Sequence, residues 1–383
     1  MNAYSWLEDS LASIKRANWY RLPRTAIPLG NSQVVVNGQT LVNFASNNYL
    51  GLAHDPRLKA SAIAAIEQYG TGTGSSRLIV GTNELHRQLE AKIAQWKGAE
   101  SALVFSSGYL ANLGAIAALV GSQDIIFSDE LNHSCLRNGA KLSGATVVHY
   151  KHGNLRDLQT TLEQYRSQYR RALILTDSVF SMDGDIAPLA EIKELADHYS
   201  AMLLVDEAHG AGIFGKHGAG VVSAENIAPP LIQMGTLSKA LGSLGGYIAG
   251  EHRLIDFLRN RCATWIYTTG LSPADTASAL TAINILQTEP QRIDRLWSNC
   301  QLLQEVLQIP VHSPIVPVAV GNISQTIDVA KELQNQGFLV PAIRPPTVPT
   351  PRLRISLMAD HTEAQIRELG AKLLNLMVKT EMS

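Results

Sequence analysis

The 383-residue sequence has little cysteine, few aromatic residues and almost no net charge. Its three cysteines, Cys135, Cys262 and Cys300, are scattered and form neither a disulfide framework nor a CxxC metal pattern. This pattern suits a reducing compartment, and no metal site is predicted. The formal net charge of −1 at pH 7 argues against nucleic acid or an anionic membrane as the main partner.

The sequence also lacks long apolar runs. No uncharged apolar stretch approaches the ~20 residues that a membrane-spanning helix needs, so no membrane partner is predicted. The first ten residues are polar and include two acidic residues, unlike a signal peptide. We therefore expect a soluble, cytoplasmic protein whose length allows more than one domain.

What the sequence does contain, from Ser101 onward, is an alternation of short apolar strands with helices. Strands are predicted at 102–105, 125–127, 146–148, 173–176 and 202–205, and helices at 110–120, 155–169 and 189–199. Such alternation is typical of an α/β fold with a mostly parallel central sheet and helices on both faces. Ligands of such sheets bind at the carboxyl ends of the strands.

The two ends of the chain follow other patterns. Apolar spacing predicts a helix over 6–19, which Pro23 is expected to end, and a hairpin over 34–44 on the Asn37-Gly38 turn. After Pro273 the predicted elements are a helical stretch over 274–307, strands at 315–320, 338–343 and 353–357, and helices at 326–336 and 362–378. We expect an N-terminal helix and hairpin segment (1–45), a large domain (46–280) and a small C-terminal α+β domain (281–383).

Lys239 lies among small residues, between an apolar run and a glycine-rich turn. A lysine that forms a Schiff base needs such confinement, because its amine attacks only when neutral. Asp206 ends a predicted strand 33 positions earlier, and His209 follows it by three. Taken singly, each residue has a simpler interpretation. Lys239 could be a solvated lysine in a turn, and Asp206 could be a cap at the end of a strand.

Together, these residues resemble the pyridoxal-phosphate (PLP) enzymes of the aspartate-aminotransferase fold, PLP-dependent transferase fold type I. The resemblance implies that Lys239 forms the Schiff base with PLP and that Asp206 pairs with the pyridinium nitrogen. His209 would hydrogen-bond the ring hydroxyl. His133, on a loop after a strand, would stack on the cofactor ring, although a lone histidine there is usually a surface residue. The large domain would then bind the cofactor.

A phosphate site follows from the same resemblance. Gly108 lets the backbone approach an anion, and the amides of Gly108 and Tyr109 open the next helix. Without Lys239 this would be an ordinary strand–helix turn. Thr236 would add a hydroxyl, and Thr268 and Thr269 could reach the phosphate across a dimer interface.

Five motifs in order make the resemblance closer. They are 47–52 (NNYLGL), 72–77 (GTGSSR), 180–185 (FSMDGD), 206–210 (DEAHG) and 343–349 (IRPPTVP). They resemble the α-oxoamine synthases, which condense an amino acid with an acyl-CoA thioester and lose the amino acid's carboxylate as CO2. The match covers nearly the whole chain. One departure is Asp177, where a glutamate is frequent in the family.

The last of these motifs distinguishes branches of the family. It resembles the branch that serves biotin synthesis, which implies L-alanine and a pimeloyl thioester of CoA or of an acyl-carrier protein as substrates. The nearer alternative is a sister branch that uses glycine with acetyl-CoA or succinyl-CoA. An inactive partner subunit or a regulator on the same fold is a further alternative, but the presence of Lys239 argues against it.

The resemblance also implies substrate-binding residues, among them Asn47 and Thr347. Arg344, between two prolines, could bind the amino-acid carboxylate bidentately. Arg21 corresponds to the family's N-terminal arginine, although its neighbour Arg24 leaves that assignment open.

Three expectations remain. Arg352 and Arg354 alternate with apolar residues along a strand and are interpreted as structural. Ser181, with His133, would contact the cofactor and help to position or protonate intermediates. The small polar loop at 70–77 and Thr268–Thr269 exceed what one chain's site needs, which favours a homodimer with shared sites.

Overall fold

The computed structural model describes residues 2–17 and 19–381, and its centre is a seven-stranded sheet. Six strands point the same way, and β10 runs antiparallel to both of its neighbours. In spatial order they are β4 (Ser101–Phe105), β10 (Gly246–Gly250), β9 (Ile232–Thr236), β8 (Met202–Asp206), β7 (Ala172–Asp177), β5 (Ile125–Asp129) and β6 (Thr146–Tyr150). The predicted mostly parallel sheet is confirmed, although the sequence pattern missed β10.

Both faces of this sheet are buried under helices. Successive residues of β7 belong alternately to two separate apolar cores, as the two-residue period of a strand requires: Leu173 and Leu175 to one, Ile174 to the other. One core contains residues of α4 (Gly108–Leu119), α5 (Ser134–Ser143), α9 (His252–Arg261) and α10 (Ala263–Ile266). The other contains residues of α2 (Pro56–Tyr69), α3 (Glu84–Lys97), α6 (Leu155–Tyr165), α7 (Leu189–His198), α8 (Val221–Ala224) and α11 (Pro273–Thr288).

Two smaller sheets contain the remaining strands. The first contains β1 (Ala26–Gly30), β2 (Gln33–Val36), β3 (Gln39–Asn43) and β12 (Phe338–Leu339), and the second contains β11 (Ile315–Val318), β14 (Arg352–Ser356) and β13 (Ala342–Ile343). The predicted hairpin is formed by β2 and β3. Because β3 pairs in parallel with β12, the N-terminal hairpin is tied to the C-terminal α+β region.

The predicted single strand over 338–343 is wrong. Its first half, β12, pairs with β3, whereas its second half, β13, pairs with β14 in a different sheet. Pro341 lies between the halves and has no amide hydrogen to donate, so the chain changes sheets there.

The remaining helices are α1 (Trp6–Arg16), α12 (Gln291–Leu307), α13 (Ile323–Asn335) and α14 (Glu363–Glu381). The helical stretch predicted over 274–307 is two helices, because the chain breaks at Glu289 and Pro290. The prediction that Pro23 ends the first helix is wrong, since α1 ends at Arg16 and Ala17 caps it; Asn18 lies outside the described residues. None of the described helices has the length and apolar character that crossing a bilayer requires.

Candidate active site

The candidate site lies at the carboxyl edge of the central sheet, where the last residues of the parallel strands are close to one another. Asp177 ends β7, Asp206 ends β8 and Thr236 ends β9. Lys239 follows three residues after Thr236, on the turn that leads to β10. The strand order β9-β8-β7 therefore gathers residues that are widely spaced in the sequence.

Lys239 is partly buried at this edge. Burial lowers the pKa of its ammonium, while the nearby carboxylates of Asp206 and Asp177 oppose the shift. Among the described residues, its Nζ atom has no hydrogen bond or ion pair in the structure. Such an amine is available to attack a carbonyl group, as Schiff-base formation requires.

Asp206 is held firmly under the site. Its side chain is 2% exposed, and its two oxygens accept separate hydrogen bonds. Oδ1 accepts from the Ala208 amide at 2.8 Å, and Oδ2 accepts from Asn112 Nδ2 at 2.6 Å. Sequence reasoning missed Asn112, although an asparagine within the otherwise apolar helix α4 was a usable signal. The carboxylate is thus oriented before any ligand arrives.

His209 is buried beside Asp206 and lies against Tyr49. Burial and the charge of Lys239 hold the pKa of its imidazole well below the usual range, so the ring is neutral. The Tyr49 hydroxyl lies 2.7 Å from His209 Nδ1 and 3.2 Å from Asn47 Oδ1. Burial raises the pKa of that hydroxyl to about 12, so it stays protonated. The structure thus brings Asn47 to the same network as His209.

Arg354 lies in this network as well, and only 5% of it is exposed. It donates from Nη2 to Asn47 Oδ1 at 3.1 Å and from Nε to the Ser181 carbonyl at 2.6 Å. A third bond reaches Ser356 Oγ at 2.6 Å. Because a guanidinium carries more N–H groups than these three bonds use, Arg354 can still bind an anion. Its positive charge adds to the larger effect of burial in lowering the pKa of Lys239.

His133 is the last of these residues and caps the start of α5. Its backbone amide donates to Asp177 Oδ2 at 2.8 Å. Burial and the charge of Lys239 lower the pKa of its imidazole, while Asp206 opposes the shift. We call Lys239, Asp206, His209, His133 and Arg354 the inner cluster.

The predicted anion site lies next to the inner cluster. Gly108 opens α4, where amides of the first turn have no partner within the helix. A Cβ at Gly108 would lie 2.9 Å from Met234 Cε and 3.3 Å from Thr236 Cβ, so only glycine leaves this space open. Thr236 Oγ1 lies 2.8 Å from Ser238 Oγ, which adds a second hydroxyl. Tyr109 is partly exposed, and its hydroxyl accepts from Asn138.

Thr268 and Thr269 lie at the border of this anion site. The Thr269 carbonyl accepts a hydrogen bond from Ser106 Oγ at 3.2 Å, and Thr269 forms an isolated β-bridge with Ser76 of the small polar loop at 70–77. The structure therefore places both predicted dimer segments, the loop and the threonines, side by side.

The turn that carries Ser181 is anchored from two sides. His152 lies between two carboxylates, with Nδ1 3.0 Å from Asp129 Oδ1 and Nε2 2.8 Å from Asp185 Oδ2. Its hydrogen bonds to the two carboxylates, of which the one to Asp129 has the larger effect and the one to Asp185 the smaller, raise the pKa of His152 to about 10. From the other side, Arg352 pairs with Asp183, the structural role predicted for it.

The other predicted substrate residues form a separate outer cluster of Arg21, Arg344 and Thr347. Arg21 Nη2 donates to Thr347 Oγ1 at 3.0 Å, and Arg344 Nη2 donates to the Tyr20 carbonyl at 3.2 Å. Arg24 instead donates to Gln334 on α13 at 3.1 Å. The structure therefore separates the two N-terminal arginines and groups Arg21 with Arg344.

Arg344 and Arg354 lie at different positions relative to the paired strands β13 and β14. The Arg354 amide bonds the Pro341 carbonyl, and Pro341 lies three residues before Arg344. Three residues of strand span roughly 10 Å. Hydrogen bonds through Asn47 and Tyr49 link the buried Arg354 to His209, whereas Arg344 donates to the backbone of the N-terminal segment.

These residues fit PLP. The site offers a lysine whose pKa is lowered by burial, a buried and oriented carboxylate, and a backbone cradle for a phosphate whose space a Cβ at Gly108 would fill. Such a donor set suits an aldehyde, a pyridinium nitrogen and a phosphate respectively.

Comparison with known proteins agrees with this geometry. Residues 39–373 match the family of aminotransferase class I and II. Proteins of Gloeothece citriformis and Trichormus variabilis, both named "Putative 8-amino-7-oxononanoate synthase", are each 56% identical to this chain; in both cases the match covers 97% of this chain and 99% of the relative.

Solved structures show the same similarity. Serine palmitoyltransferase of Sphingomonas wittichii aligns with a TM-score of 0.93 and 30% identity over 100% of both chains. An 8-amino-7-oxononanoate synthase of Francisella tularensis aligns with a TM-score of 0.78 and 28% identity over 90% of this chain and 99% of that one. A further similar structure, also with a TM-score of 0.93, is described as containing PLP.

Proposed function

Because this chain belongs to the class I and II aminotransferase family, as a PLP-dependent α-oxoamine synthase of the biotin-synthesis type, we propose that it joins L-alanine to a pimeloyl thioester. The product would be 8-amino-7-oxononanoate, released with CO2 and the free thiol. The thioester carrier is CoA or an acyl-carrier protein, and both present the same acyl group to the site.

The observation that carries this proposal is the presence of two separate arginine sites. Alanine brings one carboxylate, and a pimeloyl thioester keeps a second at the far end of its acyl chain. Arg354 of the inner cluster suits the first, and Arg21 with Arg344 suits the second. An acetyl thioester has no second carboxylate and gives the outer cluster nothing to bind.

This assignment revises the expectation that Arg344 binds the amino acid. A carboxylate bound at Arg354 lies beside Lys239 and His209, where the amino acid must react. Arg354 is also directed by its bonds to Asn47 and Ser181, so it would hold the carboxylate in one orientation.

When bound, PLP supplies a ring that accepts the electron pair left by breaking a bond at the amino acid's Cα. The Asp206 carboxylate would pair with the ring nitrogen. His209 is neutral and would donate a hydrogen bond to the ring hydroxyl. The amides of Gly108 and Tyr109, with Thr236, would hold the phosphate. Lys239 would bind the cofactor aldehyde between turnovers.

The chain's own proton transfers centre on Lys239. Released from the cofactor, its neutral amine takes the proton from Cα, and that carbon then attacks the thioester carbonyl with loss of the thiolate. The carboxylate at Arg354 leaves as CO2, and a proton returns to the same carbon. His133 and Ser181 are proposed to orient the reacting groups during these steps.

A homodimer is proposed on the basis of an apolar patch at the border of the anion site. Ile79, Val80 and Tyr267 are 75%, 77% and 84% exposed, and Tyr267 precedes the Thr268–Thr269 segment. A second copy covering this patch would bring its threonines to the phosphate of this chain. Sedimentation at assay concentration tests this proposal, which an active monomer would overturn.

The substrates are tested by measuring kcat/KM for alanine, glycine and serine with pimeloyl-CoA and with acetyl-CoA, following thiol release. We expect alanine with pimeloyl-CoA to be the best pair. A preference for glycine with acetyl-CoA would assign the chain to the sister branch instead. Borohydride reduction provides an independent check of the cofactor, because it should link PLP covalently to Lys239 whichever substrates are used.

A further inference from the structure

The His133 ring meets two hydrogen-bond donors, both on Cys135. Nδ1 lies 2.8 Å from Cys135 Sγ and 3.3 Å from the Cys135 backbone nitrogen, which donates to it as the cap of α5. A backbone N–H can only donate, so Nδ1 must offer a lone pair. In a neutral imidazole the single ring proton is then on Nε2.

The thiol proton also points to Nδ1, because the other partners of Sγ are already determined. Asn112 Nδ2 lies 3.0 Å from Sγ and 2.6 Å from Asp206 Oδ2, so the amide donates to both. Sγ therefore accepts from Asn112 and has its own proton to donate. His133 Nδ1 at 2.8 Å is a much nearer acceptor than Asp206 Oδ2 at 3.9 Å.

We infer that Cys135 is a positioning residue, which fixes the His133 ring as its Nε2–H tautomer and so presents a donor at the ring's open edge. Burial raises the pKa of the thiol, so it keeps its proton, and burial lowers the pKa of the imidazole, so the ring stays neutral. Nε2 has no hydrogen-bond partner within the described part of the chain, which leaves its proton for a ligand.

The ligand of that proton follows from the proposed function, on which this one step rests. An oxygen of the substrate, whether of the amino-acid carboxylate or of the thioester carbonyl, would accept it. The tautomer itself does not depend on which substrates the enzyme uses.

The test is NMR of the cofactor-loaded enzyme with 15N-labelled histidine, without substrates. His133→Asn identifies the His133 signal by its loss. Long-range proton–nitrogen couplings should place the ring proton on Nε2 in the wild type and in Cys135→Ser, which keeps a donor. A proton on Nδ1, or a doubly protonated ring at neutral pH, would overturn the inference whatever the variants do.

The variants then separate the thiol from the backbone amide. Cys135→Ala should raise the pKa of His133, because one bond to the neutral ring is lost, while the charges around it (Asp206, Asp177, Lys239 and Arg137) stay in place. It should also lower kcat about 2- to 10-fold, as expected for one neutral hydrogen bond. Cys262→Ser, at a buried cysteine bonded to Thr264, is the matched control and should leave both values unchanged. A His133 pKa that is the same in Cys135→Ala as in the wild type would show that the thiol has no such role.

Discussion

The inner and outer clusters both contain arginine, but they are built differently. Arg354 of the inner cluster is 5% exposed and makes three hydrogen bonds within the protein. Arg21 of the outer cluster is exposed, and its bond to Thr347 joins residues 326 positions apart. Arg344, beside it, contacts the backbone of the N-terminal segment.

The difference shows what each region can contribute. A buried arginine in a network is directed before its ligand arrives, so it can orient a group for chemistry. An exposed arginine competes with water and salt, and its ion pairs contribute less binding energy. We therefore expect changes in the inner cluster to affect turnover or binding of the amino acid, and changes in the outer cluster to affect binding of the acyl substrate.

Replacing Lys239 should have the largest effect. Lys239→Ala should abolish the covalent adduct formed by borohydride reduction and lower kcat by at least about 100-fold, as expected for loss of a positioned base. Mass spectrometry of the reduced protein and a turnover assay measure the two outcomes. Lys151→Ala, at an exposed lysine, should change neither. An adduct on another lysine would refute the assignment of the whole inner cluster.

Asp206→Asn should have the next largest effect. The amide keeps one acceptor oxygen, so it can accept from Asn112 or from the Ala208 amide but not from both. We expect the fold to persist because only one of these bonds is lost, but the charge proposed to face the ring nitrogen is removed. Removing one partner of a buried charged pair costs about 3–5 kcal/mol, or more than about 100-fold in rate. Circular dichroism checks the fold, and kcat checks the rate. Near-normal turnover would show that the ring nitrogen does not need this charge.

A pair of arginine variants tests the comparison directly. Arg354→Ala should raise the KM for alanine about 10- to 150-fold, because a charge-assisted bond contributes about 1.5–3 kcal/mol. Arg344→Ala should instead raise the KM for pimeloyl-CoA, and by less, because Arg344 is more exposed. Arg354→Lys should recover only part of the loss, since an ammonium cannot make a planar two-pronged contact.

The same assay can contradict this division of roles. If Arg344→Ala raises the KM for alanine and leaves that for pimeloyl-CoA unchanged, the amino acid binds at the outer cluster. The two substrate positions would then be the reverse of those proposed.

The smallest effect concerns pH and the turn that carries Ser181. The pKa of His152 is raised from 6.5 to about 10, so its stabilisation is complete below pH 6.5 and is lost as the pH rises through about 10. Denaturant unfolding of the wild type should show this decline. In His152→Asn the decline should be weaker, because no charge remains to titrate between Asp129 and Asp185. Equal declines in both proteins would show that His152 does not contribute.

The sequence predicted the parts of the site that depend on local pattern. Asp206 at a strand end and Lys239 before a glycine-rich turn carry recognisable surroundings, and the strand order then determines that they meet. The alternation of strands and helices predicted the central sheet for the same reason, because each element shows its own periodicity.

The parts that were missed depend on long-range contacts. Arg352 and Arg354 have the same spacing and similar neighbours, yet only Arg354 contacts Asn47 near His209, because the partners come from the other end of the chain. Asn112 and Cys135 likewise reach Asp206 and each other only after α4 and α5 pack together at the end of β8. The change of sheet at Pro341 was hidden because periodicity does not reveal which strands will pair.

The parallel pairing of β3 with β12 also has a consequence for synthesis on the ribosome. The N-terminal hairpin emerges early but has no partner strand until the C-terminal region follows. The central sheet, in contrast, is encoded between Ser101 and Gly250 and can assemble while translation continues. The outer cluster, which needs both Arg21 and Thr347, is therefore among the last parts of the molecule to form, and a nascent chain would complete the strand-end residues Asp206 and Thr236 before the outer cluster.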